Sequence, residues 1–115
     1  MEQTDPKKSN KSNQTSQQFL ELLSVSTDAE IVEMLAAQFF TIRQIAQYIG
    51  MDPDNLRSII NYDEGNDLAK AYWKGKMKTE ILLRFDTLKF AAAGNPQASQ
   101  EMKEYLSQQN VDENA

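Results

Sequence analysis

The chain contains no cysteine and no histidine. Without cysteine, disulfides and thiolate metal sites are excluded. Without histidine, the usual general base and the commonest metal ligand are both missing. There is no paired-acid constellation and no glycine-rich phosphate loop. No apolar run is long enough for a membrane span, and the N-terminus lacks the apolar segment of a signal peptide. Positive charge is also short, with 12 Lys and Arg against 17 Asp and Glu and a net charge of −5. These absences lead us to expect a cytoplasmic, non-catalytic protein with no cofactor, no metal and no membrane partner.

What is present is helical patterning. The 115 residues, 40% of them hydrophobic, suit one small domain plus tails. Residues 1–18 are rich in Lys, Ser, Asn, Gln and Thr and read as a disordered polar arm. Phe19, Leu20, Leu22 and Leu23 fit a short helix over residues 17–24. Thr27 with Glu30 matches a capping box and opens a helix near residues 28–39, with Ile31, Met34, Leu35 and Phe39 on its apolar face. A second capping box, Thr41 with Gln44, opens the next helix, and Gly50 ends it. Asp52 caps a third helix with Pro53 at its first position, where a missing N–H costs nothing. The run Asp63-Glu64-Gly65-Asn66 breaks the pattern. A long helix from Asp67 to about Ala93 follows, roughly 40 Å at 1.5 Å per residue. Gly94-Asn95-Pro96 reads as the corner of a helical hairpin, with Ala98, Met102, Tyr105 and Leu106 on the apolar face of its second arm. No strand pattern competes, so the expected fold is all-α: a three-helix, helix-turn-helix N-terminal unit over residues 19–64, then a long helix and C-terminal hairpin over residues 65–109. Residues 110–115 read as a disordered tail.

The stretch from Thr41 to Asn61 has the spacing of a DNA-binding helix-turn-helix. A small Ala46 lets the second helix approach the first. Gly50 accepts a left-handed backbone as the first helix ends. Ile45, Ile49, Met51, Leu56 and Ile59 supply the core between them. With Leu56, Ile59 and Ile60 turned inward, the outward set is Asp54, Asn55, Arg57, Ser58, Asn61 and Tyr62. In such a unit this helix lies in the major groove, where Arg matches guanine and Asn matches adenine. Asn55, Arg57, Ser58 and Asn61 are therefore the candidate base contacts with double-stranded DNA. Asp52 and Asp54 favour the helix dipole but repel a phosphate arriving there.

Charge is unevenly spread. Residues 19–64 hold eight acids against Arg43 and Arg57, whereas residues 65–90 hold Lys70, Lys74, Lys76, Lys78, Arg84 and Lys89 against three acids. Phosphate contacts dominate nucleic-acid affinity. Arg43 and the ridge of Lys70, Lys74 and Lys78, which recur every four residues, are the candidates, helped by the N-terminal lysines. Tyr72, Trp73 and Met77 read as core rather than as a stacking platform. Further along, Ile81, Phe85 and Leu88 share one face of the long helix, while Leu83 and Phe90 lie on another. A helix apolar on several sides is covered on several sides. The expected cover is a second copy, through Ile81, Leu83, Phe85, Leu88 and Phe90.

The order of features resembles phage and prophage terminase small subunits. Many of these follow a recognition helix with an acidic turn and an Ala-Tyr-x-x-Gly stretch, then a long helix ending in Gly-Asn-Pro-x-Ala and an aromatic-Leu segment. This chain has Ala71-Tyr72-Trp73-Lys74-Gly75, Gly94-Asn95-Pro96-Gln97-Ala98 and Tyr105-Leu106, and the similarity covers roughly residues 28–108. The resemblance implies a non-catalytic DNA-packaging component of a bacterial host cell's cytoplasm. Such a subunit forms a homo-oligomeric ring, recognises viral DNA and delivers it to a large terminase subunit carrying ATPase and nuclease activities. The same helices also suit a transcriptional regulator of a mobile element, or an interaction module that has lost DNA binding.

Overall fold

The computed structural model describes residues 4–114, with side chains from residue 15 onward. Six helices follow in order: α1 (Thr4–Val25), α2 (Asp28–Ala37), α3 (Ile42–Ile49), α4 (Pro53–Tyr62), α5 (Asp67–Ala92) and α6 (Pro96–Glu113). No strand occurs among the described residues. The fold is all-α.

The caps fall where the sequence puts them. Thr27 Oγ1 accepts from the Glu30 N–H while the Glu30 carboxylate accepts from the Thr27 N–H. Thr41 and Gln44 make the same reciprocal pair. Asp52 caps α4 through the Asn55 N–H, and Asn95 caps α6 through the Ala98 N–H. Each such cap stabilises its helix by about 1 kcal/mol. Asn66, the last residue of the breaker run, adds one at the start of α5 by accepting from the Leu68 N–H. Gly50 ends α3 with φ +76°, a left-handed conformation that costs a residue bearing Cβ about 1 kcal/mol.

Both expected disordered ends carry helix. The polar arm over residues 1–18 is helical from Thr4, because a helix anchored at Phe19 and Leu23 propagates cheaply through residues that offer no breaker beyond Pro6 in its first turn. Any phosphate contact by the arm's lysines lies outside the described side chains. The expected tail at 110–115 is helical to Glu113, where the Asn114 side chain donates to the Asn110 carbonyl. At the end of α2 the helix stops at Ala37 rather than 39. The Phe39 N–H bonds the Ala36 carbonyl and the Phe40 N–H bonds the Leu35 carbonyl, a Schellman closure. Phe39 occupies its left-handed position (φ 63°), where glycine is usual, and its side chain is exposed instead of joining the apolar face of α2.

The core is built from Leu23, Ile31, Val32, Leu35, Ala36, Ile45, Ala46, Leu56, Ile60 and Ala71, with Ile49, Met51 and Tyr72 packed around it. It joins the end of α1, helices α2 to α4 and the first half of α5. The α2–α5 contact is the closest. Gly75 lies against the Glu33 backbone, and four residues later the Thr79 hydroxyl donates to the Ala37 carbonyl, so the two helices run parallel. Beyond Gly75 no residue of α5 is buried, and α5 packs on α6 in the hairpin. The Cα radius of gyration is 18.7 Å, against about 13 Å for a compact chain of this length. The second half of α5, with no buried residue, and α6, with Ala98 alone buried, form an arm that projects from the core.

A methyl group on Gly75 would lie 2.1 Å from the Glu33 carbonyl oxygen, far inside the roughly 3.5 Å of ordinary contact. Gly75→Ala gains about 1 kcal/mol of helix propensity and loses more to overpacking, about 3 kcal/mol. The expected net loss is about 2 kcal/mol in urea denaturation. A variant as stable as the parent would show that α2 and α5 are not in this contact.

Candidate nucleic-acid interface

Helix α4 is set by two buried anchors, Leu56 and Ile60, with Ile59 half-buried beside them. The turn of Gly50, Met51 and Asp52 brings it across α3, where Ala46 is fully buried and leaves room for the approach. With 100° per residue, Asp54, Ser58, Asn61 and Tyr62 form the outermost ridge of α4. Asn55 and Arg57 stand on its two flanks, each about 100° from Leu56. All four candidate base contacts, Asn55, Arg57, Ser58 and Asn61, are exposed. No other described element covers Ser58 or Asn61. Arg57 is held from within its own helix, with Nη1 2.9 Å from Asp54 Oδ1.

The candidate phosphate contacts divide. Arg43, Lys70, Lys74 and Lys78 are all exposed, but they do not share one surface. Lys78 Nζ lies 2.5 Å from Glu33 Oε2, and Lys74 acts on the same carboxylate. Both therefore face along α2. Trp73, by contrast, donates its indole N–H to the Ile60 carbonyl and marks the α4 side of α5. Lys74 sits about 200° around the helix from Lys76. The expected ridge is thus turned from α4 in its second and third members, and Lys78 is already ion-paired. The reason is that a period of four fixes a stripe on α5 but not its direction. Gly75 and Ala71, which seat α5 on α2, decide that.

A different cation takes its place. Lys76 shares a groove of about 370 Å³ with Arg43 and Arg57, bordered by Thr41, Phe39 and Tyr72. Its Nζ lies 5.3 Å from the centroid of the Trp73 ring. In the sequence Lys76 is one of six cations in the basic segment, and its place opposite Lys74 on the helix is the signal that separates it from the ridge. Tyr72 packs on the core as expected, whereas Met77 is exposed and Trp73 is half so. A second, apolar groove of about 750 Å³ between α1, α2 and α3 is lined by Phe19, Leu20, Leu35, Phe40 and Tyr48 and brings no charged group.

The projecting hairpin is apolar on its surface. Ile81, Leu82, Leu83, Phe85, Leu88 and Phe90 are 48–65% exposed, and Leu106 and Val111 on α6 are exposed as well. Ala98 is the only buried residue of α6. Arg84 lies 4.0 Å over the Tyr105 ring and holds the two arms together. Among the described residues no cluster of acids forms a metal site, and no helix is long and apolar enough to cross a membrane.

The Glu33 carboxyl is held below the ordinary glutamate range, chiefly by the hydrogen bond from Lys78. A depressed folded pKa contributes stability above the unfolded value of about 4.3, and that contribution is lost as pH falls through the folded pKa. The parent should therefore melt above Glu33→Gln at pH 7, and the difference should close below about pH 4. A difference that persists at pH 2 would remove the ion pair as its cause.

No protein-family model, curated protein or solved structure matches this chain. The functional reading therefore rests on the chemistry and placement of these side chains.

Proposed function

We propose that this chain is a non-catalytic, self-associating DNA-binding protein of the phage or prophage packaging type, reading duplex DNA with α4 of a helix-turn-helix formed by α2, α3 and α4. The observation that carries the reading is the surface of α4. Its apolar residues are spent on the core, while Asn55, Ser58 and Asn61 stand exposed together. Amide and hydroxyl side chains of this kind bond base edges in the major groove. The α3–α4 turn supports it, since Gly50 and the buried Ala46 give the close crossing that such a unit needs.

The packaging role is supported by the way the resembling motifs are used. Ala71 and Gly75 are the small residues under α2, and Gly94-Asn95-Pro96 turns the hairpin. Self-association is supported by the arm itself. Two helices cannot bury six large apolar side chains spread over several faces of α5, whereas equivalent arms of further copies supply matching surfaces. A large terminase subunit is the further partner of this reading.

Sedimentation with and without duplex is the direct test. A ring of several copies is expected, with a dimer pointing instead to a transcriptional regulator. A monomer that ignores DNA at 50 mM salt would leave only an interaction module. Ile81→Asp with Leu88→Asp should shift the species to monomer without loss of helicity by circular dichroism. On a duplex selected from a random pool, Asn61→Ala should cost about 1–3 kcal/mol and should cost little on unselected DNA. Equal losses on both would remove Asn61 from base reading.

A further inference from the structure

We propose that the groove between α3, α4 and α5 seats a backbone phosphate of the duplex, held by Arg43, Arg57 and Lys76. The inference deepens the DNA-binding reading and rests on it. Three helices each contribute one basic residue to the lining of the groove, from positions 14 and 19 residues apart in sequence; the Lys76 ammonium lies at its edge, 5.3 Å from the Trp73 ring. Three positive side chains set around one groove repel one another, and an anion seated between them relieves that repulsion. The acid that meets them in the described structure is Asp54, 2.9 Å from Arg57. It occupies one guanidinium edge and leaves the groove with an excess of positive charge.

The surroundings fit a phosphodiester. Phe39, Phe40 and Tyr72 form apolar walls, which weaken solvent screening of the charges between them. Thr41 accepts from the Gln44 N–H through its hydroxyl oxygen, so its O–H remains to donate into the groove. Arg57 reaches the groove because it stands on the flank of α4, not on its outer ridge. It therefore changes role from base contact to phosphate anchor, while Ser58 and Asn61 remain free to meet bases. A phosphate fixed on one flank sets the register of the helix along the duplex.

The test uses two lysines on one helix with the same charge. Lys76→Gln and Lys74→Gln each remove a single positive charge from α5, one from the groove and one from beside Glu33. Affinity for a fixed duplex is measured by fluorescence anisotropy across salt concentrations. Lys76→Gln should lower the slope of log affinity against log salt by about 0.9, the loss of one phosphate contact. Arg43→Gln, on a separate helix, should do the same. Lys74→Gln should leave the slope at the parental value. Circular dichroism and melting temperature confirm that each variant is folded, and Lys76→Arg should retain the slope. Parental binding with equal slopes for Lys74→Gln and Lys76→Gln, or with both groove variants unchanged, overturns the phosphate seat and leaves DNA binding standing. A parent that binds no duplex even at 50 mM salt overturns both.

Discussion

At Gly75 the axis of α5 comes so close to α2 that no side chain fits between them. Ala71, one turn earlier, is also buried, and Thr79, one turn later, closes the seam by donating its hydroxyl to the Ala37 carbonyl at the end of α2. Small residues at a spacing of four make a flat strip along a helix, and a flat strip fixes both distance and rotation. Everything else on α5 takes its direction from that seam. Tyr72, Trp73 and Lys76 are turned toward α3 and α4, while Lys74 and Lys78 are turned toward Glu33.

That rotation sorts the charges of an acidic protein. On one side of the seam an ion pair stitches α5 to α2. On the other, cations that sequence scatters among α3, α4 and α5 meet beside the exposed polar face of α4. Net charge describes neither arrangement. A local excess of positive charge beside a helix that presents amides and a hydroxyl is a more specific object than a basic chain, because attraction for an anion is confined to one side of α4.

Much of this was legible in the sequence, and the parts that were not share a cause. Capping residues act within four positions, so Thr27, Thr41, Asp52 and Asn95 located the helix starts closely. Inward positions of α4 followed from period alone, with Leu56 and Ile60 buried. The direction of the lysine ridge was not legible, because it depends on which face of α5 meets α2. Period finds a stripe, and only tertiary contact finds what the stripe faces. Phe39 shows a second limit. Its spacing continues the apolar face of α2, but the Schellman turn beginning at Leu35 takes its backbone into the left-handed region and its ring outside. The terminal segments show a third, since composition alone reads polar residues as unstructured while a neighbouring anchored helix extends through them.

One consequence follows from α5 being a single unbroken helix of 26 residues. At 1.5 Å per residue it is a strut of about 39 Å, with Lys76 about a third of the way along it and the exposed apolar side chains from Ile81 to Phe90 on its second half. Copies joined at their hairpins would hold their α2–α4 units at a distance fixed by a stiff spacer rather than by a flexible tether. The geometry of such an assembly would then be measured out along one helix.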